Sequence, residues 1–178
     1  MIDKNTNPYV LLARRALEMY IKERKLPDIK SLSLPEEMLE NRAGVFVSIK
    51  TIGNRLRGCI GTINPYYKNI AEEIVNNAIS AGTRDPRFPP VKEPELSDLV
   101  YSVDVLMEAE GIDSLDRLDV KRYGVIVRKG RRTGLLLPNL EGVDTPFEQV
   151  AIALSKAGIG SGEEYVMERF EVVRHGES

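Results

Sequence analysis

The chain has one cysteine, one histidine and no tryptophan among its 178 residues. One cysteine excludes an intramolecular disulfide, and one cysteine with one histidine excludes a zinc finger or other Cys/His metal cluster. Neither metal nor cofactor is expected. No apolar run approaches the length of about 18 residues that would suggest a membrane span. The start, Met1 to Tyr9, is polar and lacks the apolar stretch of a signal peptide. The expected setting is therefore a reducing cytoplasm. Walker, dinucleotide-binding, GxSxG and HExxH motifs are also missing. Charge of one sign is not in excess: 25 basic against 27 acidic residues leave −2, so overall attraction to nucleic acid or an anionic membrane is not expected. What is present, 42% apolar and 29% charged residues, suits a packed single domain over residues 1–178.

The segment from Pro8 to Lys25 places Val10, Ala13, Leu17, Tyr20 and Ile21 on one helical face, with Asn7 as its cap. Ser33-Leu34-Pro35-Glu36 has capping-box spacing and predicts a short helix. Gly44 to Lys50 and Leu56 to Ile63 predict a hairpin turning at Gly53-Asn54. A helix follows over about 69–81, with Gly82 as its expected end. Thr83 to Asp98 is a connection of 16 residues with four prolines. Tyr101, Val103, Val105 and Met107 alternate as in a half-buried strand. A second hairpin is expected over 123–137, a helix over 146–157 ended by Gly158, and a last strand over Tyr165–Val173.

This order, strand–strand–helix–strand, occurs twice, over 44–107 and 123–173. Gly44-Val45-Phe46-Val47 resembles Gly124-Val125-Ile126-Val127, and Gly58 and Gly82 correspond to Gly134 and Gly158. On this alignment Cys59 corresponds to Leu135. Features confined to one half are where function should lie, and the first half alone has Arg57-Gly58-Cys59-Ile60-Gly61 and Asp85-Pro86-Arg87-Phe88-Pro89-Pro90.

Glycines in a strand mark a bulge or the close approach of a backbone or ligand, which makes Gly58 and Gly61 candidate substrate-binding positions. Arg57 and Arg87 offer planar cationic forks for a carboxylate or phosphate. Cys59 is the chain's one soft nucleophile, and a neighbouring arginine favours its thiolate. Cysteine also packs readily as a small hydrophobe, and Leu135 at the corresponding place favours that alternative. Asp85 and Arg87 sit in a proline-stiffened loop, which reads either as a rigid ion pair or as part of a site. The helix after the second strand must run back along the sheet, which brings residues 83–90 beside Arg57 and Cys59. A cleft with Cys59 and Asp85 as catalytic candidates and Arg57, Gly58, Gly61 and Arg87 as substrate-binding candidates follows. His175, close to the chain end where chains fray, is not expected to pair with Cys59. Arg128-Lys129-Gly130-Arg131-Arg132 is the densest basic run; a solvated hairpin tip accounts for it, and no aromatics interleave as single-strand binding requires.

Leu56-Arg57-Gly58-Cys59-Ile60-Gly61, followed by Asp85-Pro86-Arg87-Phe88-Pro89-Pro90, resembles the AMMECR family, whose prokaryotic members are called AmmeMemoRadiSam system protein A. Glu95-Leu96, Gly134-Leu135-Leu136-Leu137-Pro138 and Lys156-Ala157-Gly158 also fit, and the likeness runs from about Pro8 to Val173. The resemblance implies an α+β fold of duplicated β-β-α-β units with an added N-terminal helix, and a groove near the signature between a larger and a smaller lobe. It also implies companions, a Memo-like protein and a radical-SAM protein. Three functions are compatible with these residues. The first is a cytosolic enzyme or enzyme subunit holding a small anionic substrate. The second is a non-catalytic module that binds a peptide or a Memo-like partner, and the third is RNA binding through the basic hairpin. Oligomeric state is not readable from the chain.

Overall fold

A computed structural model describes residues 7–177. The polar start discussed above lies, apart from Asn7 to Tyr9, outside the described residues. The fold is α+β, with two four-stranded antiparallel sheets in two compact units. The first unit holds the chain up to Val105 and the final stretch from Arg174; the second is Leu106–Val173. Among the described residues no helix is long and apolar enough to cross a membrane.

In the first unit α1 (Pro8–Glu23) starts on Asn7, whose side chain accepts from Tyr9 N–H, and carries proline in its first turn. Its buried face is Val10, Ala13 and Leu17, as the spacing predicts, joined by Tyr9, Leu12 and Ala16. The short helix α2 (Glu36–Glu40) exists but has no side-chain cap: Pro35 occupies the cap position, and Ser33 does not serve as predicted. β1 (Val45–Thr51) and β2 (Leu56–Gly61) form the hairpin, with Ser48 opposite Cys59 and a bulge beside Lys50. Next come α3 (Ile70–Thr83) and β3 (Leu99–Leu106), which pairs with β1. Val45, Val47 and Ile49 point into the core with Leu99, Tyr101 and Val103, while Phe46 and Ser48 occupy the opposite face.

The second unit contains β4 (Glu110–Ile112), β5 (Gly124–Lys129), β6 (Arg132–Leu136), α4 (Pro146–Ala157) and β7 (Val166–Phe170). Thr145 caps α4 with the predicted capping box, and Gly158 closes it at φ 67°. The last strand expected over Tyr165–Val173 is in fact two. The chain breaks at Glu171, and β8 (Val172–Gly176) joins the first sheet while β7 stays in the second.

Strand order is β2-β1-β3-β8 in one sheet and β6-β5-β7-β4 in the other, so hairpin, helix and returning strand recur in the same arrangement. A Cβ on Gly58 would stand 2.0 Å from the Ala81 carbonyl oxygen, and one on Gly134 would stand 2.0 Å from that of Ala153. At both places a helix backbone rests directly on a strand. The buried amides of Asn77 and Gln149 likewise donate to carbonyls at the head of the first strand, Val45 and Tyr123. Matching these contacts matches Ile49 with Val127, because each lies opposite its glycine. The sequence alignment of Gly44 with Gly124 puts Ile49 against Lys129 instead. Strand alternation makes a slip of this kind invisible, since the same face stays apolar. Gly82 corresponds to Leu154, not to Gly158, and it does not end its helix. It is buried inside α3, where a Cβ would meet Leu17 of α1 at 2.5 Å.

Gly58→Ala and Gly134→Ala should each destabilise the protein by about 2–4 kcal/mol, because the clash is with backbone and no rotamer relieves it. Gly111→Ala, with open space around it, should change stability by less than about 0.5 kcal/mol. Urea unfolding curves of the three variants check this; a neutral Gly58→Ala would mean that α3 is free to move off β2.

Candidate functional site

β2 is an edge strand, and the loop after α3 covers its edge at Cys59. α3 ends at Thr83, two residues past the Ala81 contact with Gly58, so the chain leaves the helix beside β2. Asp85-Pro86-Arg87-Phe88 then forms a tight turn: Phe88 N–H donates to Asp85 C=O at 3.1 Å, and Arg87 N–H donates to Asp85 Oδ1 at 3.1 Å. Aspartate at the first position and proline at the second are the residues this turn prefers, one for its carboxylate and one for its fixed φ. Val91 N–H bonds to Gly82 C=O and closes the loop.

The Asp85 carboxylate is buried, with 2% of its side chain exposed. Its Oδ2 accepts from Cys59 N–H at 2.9 Å and from Arg87 Nη2 at 2.8 Å, and its Oδ1 accepts from Arg87 Nε at 3.0 Å. Arg87 Nη2 also reaches Cys59 C=O at 3.4 Å. The loop thus offers the strand edge an acceptor and a donor, as a neighbouring strand would. The hydrogen bonds from the Arg87 side chain hold Asp85 down at about 2, with those from the Cys59 and Arg87 backbones adding to them and burial opposing. Asp85 is therefore a permanent anion that positions its neighbours. A carboxylate so acidic is a poor base at neutral pH.

Arg57 points elsewhere. Its Nε and Nη2 donate to the two oxygens of Glu95 at 2.8 and 3.2 Å, and Glu95 also accepts from Lys92 N–H. The Arg57 guanidinium lowers the Glu95 carboxyl below its ordinary range. The Arg57 side chain is 12% exposed, and its Nη1 is buried with no hydrogen-bond partner among the described residues. Arg87, in contrast, has 55% of its side chain exposed. Both glycines of the motif have packing reasons: Gly58 admits α3, and Gly61 lies under the ring of Phe46, where a Cβ would be 2.2 Å away. The structure brings Cys59, Asp85 and Arg87 into direct contact, and places Arg57 two residues along the same strand with its fork on Glu95.

Cys59 is half-buried on the face turned away from α1 and α3, and its Sγ lies 3.2 Å from Ser48 Oγ. Ser48 and Glu95 were missed as site residues. A hairpin turning at Gly53-Asn54 already places Ser48 opposite Cys59, so that signal was available. Glu95 carried no local signal beyond the family likeness. His175 is not frayed: its ring stacks on Tyr9 with centroids 3.8 Å apart, and Nδ1 is 2.9 Å from Asn7 Nδ2. It stands on β8, the edge opposite β2, so it is no partner for Cys59. Burial lowers its pKa. Among the described residues no three His, Cys, Asp or Glu side chains gather as metal donors.

Three of the four basic side chains of the hairpin in the second unit pair with acids. Arg128 pairs with Glu168 at 2.7 Å, while Lys129 and Arg132 share Glu163 at 3.2 and 2.8 Å. The Arg132 hydrogen bond, with that of Gly160 N–H, draws Glu163 to about 2.

The chain matches the AMMECR1 family model over residues 10–175. It is 53% identical over 176 residues to a protein of Clostridium acetobutylicum; the match takes in 97% of this chain but 36% of that protein, so the chain spans about a third of that relative. It is 49% identical over 170 residues to a protein of Thermotoga maritima, covering 95% of the chain and 97% of the relative. Its structure is similar to the crystal structure of the uncharacterized protein PH0010 from Pyrococcus horikoshii, with a TM-score of 0.87 and 34% identity, covering 96% of this chain and 90% of that one.

Two outcomes follow from the charges. Asp85 is ionised in the folded protein down to about 2, below its ordinary 3.8. Its contribution is therefore fully present above about pH 4 and disappears as pH falls through 2, a loss of about 2 kcal/mol. Asp85→Asn should flatten the fall in stability between about pH 4 and pH 2 that wild type shows in denaturant melts. The hairpin, with three of its four basic side chains paired to acids, should give no specific binding of a labelled RNA oligonucleotide at about 0.15 M salt. Tight binding lost on changing Arg131 and Arg132 would reverse that assignment.

Proposed function

The chain belongs to the AMMECR1 family, and from the arrangement around β2 we propose that it is a cytoplasmic enzyme or enzyme subunit that presents the Cys59 thiol to a small anionic substrate. Arg87 supplies the exposed cation that meets the anion. Asp85 fixes cation and thiol relative to one another, because one carboxylate binds the backbone N–H of Cys59 and the guanidinium of Arg87. That shared carboxylate is the observation that carries the reading. Catalytic sites gain from dipoles and charges set in place before the substrate arrives. Arg57, with its fork on Glu95, ties β2 to the segment that carries Glu95. Memo-like and radical-SAM proteins are the proposed companions. A relative in which this domain makes up 36% of a longer chain supports action alongside further protein.

A non-catalytic binding module is the second reading. It is favoured by the low pKa of Asp85, which leaves the thiol without a carboxylate base.

The two are separated by alkylating the native protein with iodoacetate, an anion, and with neutral iodoacetamide. The ratio of the two rates at low salt should exceed that of a small free thiol by about threefold, because Arg87 attracts the anionic reagent. Arg87→Gln should remove the excess and Arg87→Lys should retain it. A ratio equal to that of the free thiol in all three proteins rejects the anion site, and a thiol that reacts only after unfolding leaves the binding module.

A further inference from the structure

Cys59 does not stand alone on its face of the sheet. The register places Ser48 of β1 directly opposite it and Ser102 of β3 directly opposite Ser48. Because the Cys59 N–H turns outward to Asp85, Cys59 and Ser48 form a non-hydrogen-bonded pair, the type in which side chains come closest, with Cα atoms about 4.5 Å apart. The separation of 3.2 Å between Ser48 Oγ and Cys59 Sγ is a hydrogen-bonding distance.

The second unit carries a different pair of side chains at the matching positions. The contacts that match Gly58 with Gly134 also match Cys59 with Leu135 and Ser48 with Ile126. Ile126 and Leu135 are paired in the same register and are 1% and 6% exposed. Packing therefore accepts two large aliphatic side chains at this pair of positions, and nothing in the sheet itself asks for a hydroxyl. In the first unit both residues are small, polar and half-buried. The Asp85 carboxylate of the loop is engaged by N–H groups of Cys59 and Arg87. Ser48 is thus a side chain in hydrogen-bonding contact with the sulfur, and it comes from the sheet, not from the loop.

We propose that Ser48 is the positioning residue of the Cys59 thiol: its hydroxyl donates to the sulfur, holds it in one rotamer over the sheet and stabilises the thiolate. A donor to the charged form favours that form, which is the service a neighbouring cation performs at other reactive thiols. The inference rests on the reading of Cys59 as a reactive thiol given above, and it names the group that tunes it.

The test is the rate of Cys59 alkylation by iodoacetamide in the native protein, from about pH 5 to about pH 10, in wild type, Ser48→Ala, Ser48→Thr and Cys59→Ser. In the probe reaction Sγ forms the new S–C bond, the C–I bond breaks, iodide leaves with its electron pair and the thiol proton passes to solvent. Ser48→Ala should react about fivefold more slowly at pH 7 and its rate profile should rise at higher pH, the loss of one charge-assisted hydrogen bond at a half-exposed place. Ser48→Thr, which keeps the hydroxyl, should restore both rate and profile, and Cys59→Ser should take up no label. Thermal melts accompany each variant, and a variant that melts like wild type but reacts more slowly has lost chemistry and not folding. If wild type reacts in its native state and Ser48→Ala matches it across the profile, Ser48 only packs and this inference is wrong. If wild type itself reacts only on unfolding, the reactive-thiol reading fails and the role of Ser48 fails with it.

Discussion

The contact of α3 with β2 at Gly58 is the constraint on which the first unit depends. With a hydrogen in place of a side chain, the Ala81 carbonyl lies against the strand. That height determines how far the end of the helix stands from β2, and so where Asp85 stands. A helix held farther off would still bury its apolar face, but its C-terminal loop would no longer reach Cys59 N–H. The second unit repeats the contact at Gly134 and Ala153 and then departs from it. There the helix closes on Gly158 in a left-handed conformation, and no aspartate follows to cover the strand edge. One scaffold thus yields a clamp in one unit and a plain helix cap in the other, through the residues just past the helix.

The charges at the clamp are arranged to stay constant. Asp85 and Glu95 both lie below the ordinary carboxylate range because guanidinium groups donate to them. A guanidinium stays charged throughout the neutral range. The site is therefore a fixed electrostatic frame around one thiol. The two arginines differ in use: Arg57 is buried and joins β2 to the segment carrying Glu95, while Arg87 is exposed with one side of its fork on Asp85. Residues of the same type, both expected as anion hooks, are separated by burial into a structural tie and a surface cation.

Much of the fold was legible because its elements carry local marks. Asn7-Pro8 opens α1, Thr145-Pro146 opens α4, and Gly158 ends it, each through backbone chemistry that needs no distant partner. The hairpin turn at Gly53-Asn54 even sets Ser48 against Cys59. Where local marks misled, a tertiary contact had taken over the residue. Gly82 looks like a helix end and is instead the place where Leu17 of α1 comes close. His175 looks like part of a loose end and is held by Tyr9 and Asn7. Tyr165–Val173 reads as one strand, yet the chain changes sheets at Glu171, a choice that pairing partners make and alternation does not reveal.

By itself the sequence determined the α+β class, the two hairpin–helix units and the juxtaposition of Cys59 with the Asp85 loop. Hydrophobic period, capping residues and the need for a helix to return along its sheet are sufficient for those. Only the tertiary structure decided the partners: Glu95 for Arg57, Asp85 for the Cys59 backbone, and the two-residue slip between the repeats. These depend on how closely backbones approach and which way side chains turn, and both are set by atoms distant in the chain.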